Sequence, residues 1–262
     1  MRPAVVLLVP LLLAACLDGP ADDAHHPVVS PSPSPVVSGF SVAGCDGLHT
    51  LLVFDSAAVR KELPPGYEPV AAQDINPEAT FIQLDAYRCA NVTVGDVVAT
   101  EVQFGFTFVG VVPPGRAAAN DQYVFEWLLS VDDAPELAQW LESRGWPVMD
   151  AAFTWSPGQV TIQGDDVDYR LVDPLAAPGS GPLASGDDKG RFVVHHGEAP
   201  GLVLDDNYDI QVKRGASAPG FVGSAGALAR MAPAGGVRAA PGISFIGTRL
   251  NATFQEQPAP AA

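Results

Sequence analysis

Lysine is almost missing from this 262-residue chain: Lys61, Lys189 and Lys213 are its three, against 21 aspartates. Arginine does not make up the deficit, since Lys and Arg together number 14 and Asp and Glu 30, a formal charge of -16. A surface of that sign repels phosphate backbones and anionic headgroups, which excludes nucleic acid as a partner. High salt would screen the self-repulsion, and a GC-rich genome also drifts away from lysine; composition leaves both origins open. The N-terminal apolar run, Ala4 to Leu13, falls short of the ~20 residues a spanning helix needs. Dinucleotide and phosphate-loop fingerprints are missing, and Ser224 sits in Val222-Gly223-Ser224-Ala225-Gly226, which lacks the first glycine of a nucleophile elbow.

Cysteine is also scarce, with three in the chain. The first closes an export signal: Arg2 precedes the apolar run, and Leu13-Ala14-Ala15-Cys16 has the small residues before cysteine of a prokaryotic lipoprotein signal. The expectation is removal of residues 1–15 and acylation of Cys16, with the lipid bilayer as partner. The protein is then exported to the cell envelope and membrane-anchored. Residues 16–38, with prolines from Pro31 to Pro35, hold too few large apolar groups for a core and read as a tether. His25 and His26 within it read as solvated residues rather than metal ligands. Cys45 and Cys89 remain as an even pair in an exported domain, for which a disulfide is expected. Residues 39–262 suffice for one sizeable core and are read as a single domain.

The clearest local pattern runs from Val124 to Trp155. Tyr123, Phe125, Trp127, Leu129 and Val131 alternate with Val124, Glu126, Leu128 and Ser130, the period of a strand with one buried face. A helix follows, with Asp132 or Asp133 as N-cap, Pro135 and Glu136 in its first turn, and Ala134, Leu137, Ala138 and Leu141 as its apolar stripe; Arg144 and Gly145 close it. The longest alternation spans Val97 to Val112, with Val98, Thr100, Val102, Phe104, Phe106 and Phe108 on one face. Gly47–Phe54 and Phe81–Tyr87 read as strands, with a short helix between them that Asp55-Ser56 caps and Pro64-Pro65-Gly66 ends. More strands are expected at 151–156, 159–163, 167–172, 191–196, 201–204, 207–213 and 242–254. The Gly/Ala-rich stretch 216–240 stays open, with a short helix possible near Leu228. The expected class is β-rich α+β, a curled antiparallel sheet or barrel with two short helices.

This order of elements, with Leu63-Pro64-Pro65-Gly66-Tyr67-Glu68-Pro69, a long strand carrying Glu101, and a helix entering Arg144-Gly145-Trp146-Pro147, resembles the acetoacetate decarboxylase-like superfamily over residues 45–160. The resemblance implies a barrel-like sheet around a small hydrophobic pocket, lined here by Glu101, Arg144, Trp146 and Val148. It also implies a Schiff-base lysine directly after the Gly-aromatic-Pro turn. Val148 stands there, so the resemblance implies a member without its amine nucleophile and without iminium chemistry.

Two readings of function follow. The first is an anchored domain that binds a small apolar or weakly acidic molecule in the barrel, with no cofactor and no metal. The second is an enzyme in which Glu101 pairs with Glu126, or with an arginine such as Arg88 or Arg144, for acid/base chemistry on a carbonyl compound; two close carboxylates would split their pKa values. A structural envelope protein with a filled barrel is the third option. His195 and His196 are adjacent on a strand, hence on opposite faces, and do not chelate one metal together. Asp165, Asp166 and Asp168, like Asp205, Asp206 and Asp209, lack the spacing of a calcium loop. Asn91 and Asn251 head glycosylation sequons, which matter only in a host that reads them.

Overall fold

A computed structural model describes residues 39–72, 76–115, 121–157, 159–172, 183–213, 221–232, 238–240 and 242–257. The signal and tether, with His25 and His26, and parts of 216–240 lie outside the described residues. In chain order the elements are β1 (Gly39–Asp55), α1 (Ser56–Arg60), β2 (Glu68–Pro69), β3 (Ala79–Val94), β4 (Val97–Val112), β5 (Asp121–Leu129), α2 (Pro135–Glu142) and β6 (Val148–Asp150). They continue as β7 (Ala152–Ser156), β8 (Gln159–Gln163), β9 (Asp168–Val172), β10 (Leu183–His195), β11 (Leu202–Lys213), β12 (Phe221–Ala225), α3 (Ala227–Met231), β13 (Arg238–Ala240) and β14 (Gly242–Glu256).

The larger sheet runs β2-β4-β3-β1-β14-β11-β10-β5-β6, and β4 also pairs with β5, so the strands from β4 round to β5 form a closed ring. A second sheet, β13-β12-β9-β8-β7, accompanies it. The fold is thus β-rich α+β with a curled sheet. The pairing is mixed, because β5 runs parallel to β10 on one part of its edge and to β6 on the other. β5, α2 and β6 form a strand–helix–strand unit, and a helix between two neighbouring strands returns the chain parallel. The short helix near Leu228 is α3, a third beside the two expected.

Alternation sorts the apolar residues into two cores. One draws on all seven strands of the ring, with Phe40, Val42, Tyr87, Phe104, Phe106, Phe108, Val124, Trp127, Val194, Leu204, Leu250 and Phe254 among its members, and is the barrel interior. The apolar stripe of α2, Leu137, Ala138 and Leu141, belongs to it, and Trp140 meets Phe40 edge-on at 5.4 Å, so α2 covers the interior. The other core joins outward residues of the wall (Leu48, Leu52, Ile82, Leu84, Val109, Val111) to Val160, Ile162, Tyr169 and Leu171 of the second sheet, with Val59 of α1 and Leu228 of α3.

Three local expectations are corrected. Tyr123, Phe125, Trp127 and Leu129 do not share a face: the β4–β5 register shifts between Thr107 and Phe108, and this bulge puts Tyr123 and Phe125 in the outer core but Trp127 and Leu129 in the barrel. Neither Asp132 nor Asp133 caps α2, whose N-cap is Ala134 without a side-chain bond; Asp133 instead accepts from Ser130 Oγ at 2.6 Å. The strands expected at 201–204 and 207–213 are one, β11, and β10 begins at Leu183.

Cys45 and Cys89 are bonded, facing each other across the β1–β3 ladder, both buried. For a sequence separation of 44, loop-closure entropy contributes about 3–4 kcal/mol. Reduction, or a Cys45→Ser/Cys89→Ser variant, is expected to lower stability by that amount; denaturant midpoints with and without reductant measure it, and coincident midpoints would refute it.

Candidate functional site

The residues expected to line one pocket are dispersed. Glu101 is exposed and adopts a left-handed backbone conformation, φ 57°. Glu126 is 1% exposed, and its carboxylate accepts from Thr107 Oγ1 at 3.5 Å and Tyr169 OH at 2.8 Å, and from the amide of Ala227. Thr107 lies six residues beyond Glu101 on the same strand, about 20 Å at strand rise, so the two carboxylates form no acid/base pair. Glu126 instead ties the barrel wall to β9 and α3, and the bulge in the β4–β5 ladder turns it outward to do so.

Arg144 pairs with Glu256 and lies over the Trp140 ring at 4.1 Å, where it helps hold α2 to the end of β14. Trp146 is buried and meets Trp127 edge-on at 6.2 Å. Val148, beside Trp127 in the β5–β6 ladder, packs against the barrel core. Trp146 and Val148 are therefore part of the barrel packing, Arg144 is engaged with Glu256 and Trp140, and Glu101 stands apart. His195 meets Asp121 at 2.7 Å and His196 Nδ1 meets the Val124 carbonyl at 2.8 Å, so the adjacent imidazoles turn to different partners. Burial lowers the pKa of His196, and its bond to that carbonyl partly offsets the shift. Asp168 accepts from Ser224 Oγ, Asp205 faces Arg191 at 3.7 Å and Asp209 pairs with Arg249. No group of three metal-ligating side chains occurs among the described residues.

Sequence reasoning passed over a polar cluster inside the barrel. His49 Nδ1 is 3.0 Å from Asp85 Oδ1, Tyr87 OH donates to Asp85 Oδ2 at 2.8 Å, and Gln83 Nε2 reaches both carboxylate oxygens at 2.9 and 3.0 Å. His49 stacks on Tyr208 at 5.2 Å. The rings fit because two glycines face each other across the β1–β14 ladder: a Cβ on Gly47 would meet the Tyr87 ring at 2.6 Å, and one on Gly247 would meet His49 Nε2 at 2.6 Å. Burial first, then Asp85 and Tyr208, hold the Tyr87 pKa well above the ordinary tyrosine value, so its hydroxyl stays a donor. Asp85 and Tyr87 at i and i+2 share a strand face, which was the signal available for finding them.

Beside this cluster, Tyr87, Phe104, Phe106, Leu204, Asp206 and Phe254 help enclose a cavity of about 10 Å³, the space of one water molecule. A larger cleft of about 100 Å³ lies on the outer side of the wall, lined by Asp46, Gly47, Leu48, Arg88 and Ile246 of the barrel and by Trp155, Ser156 and Gln159 of the second sheet. The Arg88 guanidinium sits 5.8 Å from the Trp155 ring centre. Trp155 Nε1 is buried and has no hydrogen-bond partner among the described residues. No lysine is among the described residues that line the two cavities, and Lys61 and Lys189 are exposed.

No family profile matches the chain, and no curated protein matches it. Solved structures similar to it include acetoacetate decarboxylases and an acetoacetate decarboxylase-like enzyme. An acetoacetate decarboxylase from Legionella pneumophila aligns at 12% identity and TM-score 0.46, covering 87% of this chain and 92% of that one. An acetoacetate decarboxylase-like enzyme from Sphingomonas wittichii aligns at 16% identity and TM-score 0.41, covering 87% and 98%. An enduracididine biosynthesis enzyme in complex with pyruvate aligns at 13% identity and TM-score 0.45, covering 89% and 97%.

Burial raises the Glu126 pKa, and its hydrogen bonds and Arg230 offset this in part. A folded-state pKa above the unfolded one gives stability that is complete below the ordinary carboxylate range and is lost as pH rises through the folded value. Glu126→Gln, neutral at every pH, is therefore expected to gain on the parent protein as pH rises from the acid range to neutrality. Urea midpoints of both proteins across that range test this, and a constant difference would refute it.

Proposed function

We propose that the protein is a membrane-anchored, extracytoplasmic lipoprotein that binds a small weakly acidic molecule and does not carry out Schiff-base decarboxylation. The observation that carries the binding reading is the cleft on the barrel wall, where the exposed Arg88 lies beside the Trp155 ring and Leu48 and Ile246 line the same space. A carboxylate accepts from the arginine, while its apolar tail lies on the aliphatic and indole surfaces.

The wall cleft, at about 100 Å³, is a better location than the recess of about 10 Å³ that the described residues leave on the barrel side. Catalysis by paired carboxylates has little support, since Glu101 and Glu126 lie far apart. Val148 in the position directly after Gly145-Trp146-Pro147 supports a role without an iminium intermediate. Anchoring rests on the Leu13-to-Cys16 signal.

Cys16→Ser is expected to move the protein from the membrane to the soluble fraction, and mass spectrometry of the mature N-terminal peptide should find acyl chains on Cys16. An unmodified Cys16 would refute the anchor. For binding, calorimetric titration with short monocarboxylates bearing apolar tails should give saturable heat. Arg88→Ala is expected to remove about 1.5–3 kcal/mol, roughly ten- to a hundredfold in affinity. No saturable binding by any of them would favour the structural envelope role that the filled barrel also suits.

A further inference from the structure

Three large apolar side chains are prominently exposed among the described residues, and two of them, Val97 at 46% and Val98 at 55%, are neighbours at the tip of the β3–β4 hairpin. The hairpin turns at Gly95-Asp96, with Val94 opposite Val97. At this end of the hairpin Asn91, Gly95, Asp96, Thr100 and Glu101 are exposed, while β3 stays paired with β1 as far as Val94 and Val92 is buried. The Cys45–Cys89 disulfide joins the same two strands, and Cys89 also faces Val102. The hairpin end is therefore held in the sheet and presents two exposed valines.

The same end of the domain is where the anchored segment joins it. Phe40 is opposite Val94 in the β1–β3 ladder, so Gly39, the first residue of β1, lies beside the hairpin tip. Gly39 follows Cys16 by 23 positions, so the chain enters the domain from the expected anchor beside the hairpin tip. From this juxtaposition we infer that the Val97–Val98 tip is a membrane-contact element that inserts at the surface of the bilayer to which the protein is anchored and sets the barrel's orientation on it. The inference rests on the anchoring proposed above. The contact is apolar and suits neutral headgroups, because Asp96 at the tip and the chain's net charge of -16 oppose an anionic surface.

The test uses the full, lipidated chain in phosphatidylcholine vesicles, with Val98→Cys labelled by an environment-sensitive fluorophore after the native disulfide has formed. The same label at Asp165→Cys, exposed in the loop between β8 and β9, serves as the reference. The expected result is a blue shift of the Val98 label alone and its quenching by lipid-borne nitroxide, with the shift lost when Val97→Ser is added. If the protein floats with the vesicles while both labels report water, the inference is overturned and the anchor stands. A Val98 label that is dry on native envelopes but wet on lipid vesicles would overturn it in favour of a protein partner. Failure to float, with Cys16 unacylated, removes the anchor and the inference together.

Discussion

The constraint on which this structure depends is closure of the ring through β4. That strand pairs with β3 along most of its length and with β5 on its other edge, and it takes the short β2 beyond the end of β3. Once the ring is closed, each inward position must be filled or left void at a cost in packing. Phe104, Phe106 and Phe108 on β4, with Phe40, Trp127 and Phe254 from the facing strands, meet that requirement through ring contacts between 4.3 and 6.5 Å. Tyr87 and His49 extend the same aromatic lining toward Asp85. Among the described residues the space left beside them is about 10 Å³.

Filling the barrel moves the accessible chemistry outward. Asp85 is surrounded by a histidine, a tyrosine and a glutamine, which offset the desolvation of its carboxylate but leave little room for a reactant. Glu126 is likewise consumed by structure, at the junction of wall, second sheet and α3. The second sheet leaves a gap against the wall beside Arg88 and Trp155, and there Arg88 is exposed. Two sheets packed at an angle diverge toward their margins, and a cleft at the margin is a natural consequence.

Much of the architecture was legible locally. The Val97–Val112 alternation is β4 residue for residue, Gln159–Gln163 is β8, the strand and helix read in the central stretch are β5 and α2, and the strand expected at 151–156 is β7. The Cys45–Cys89 bond followed from arithmetic on the two cysteines left after Cys16. Misreadings came where pairing overrode pattern. Phe125 and Trp127 are two apart and by rule share a face, but a bulge between Thr107 and Phe108 sends them to different cores. Asp133 is a good N-cap by type, yet its carboxylate is taken by Ser130.

The sequence by itself determined the strand periods, the helix stripe, the disulfide and the acidic balance, because each depends on residues close in the chain or on composition. Only the tertiary structure decided that the sheet closes on itself, that His49, Asp85 and Tyr87 meet inside it, and that Arg88 and Trp155 frame the open cleft. Those outcomes require strands remote in sequence to pair in one register, such as Gly47 with Gly247. Which glycine faces which ring is fixed by that pairing, and no local pattern encodes it.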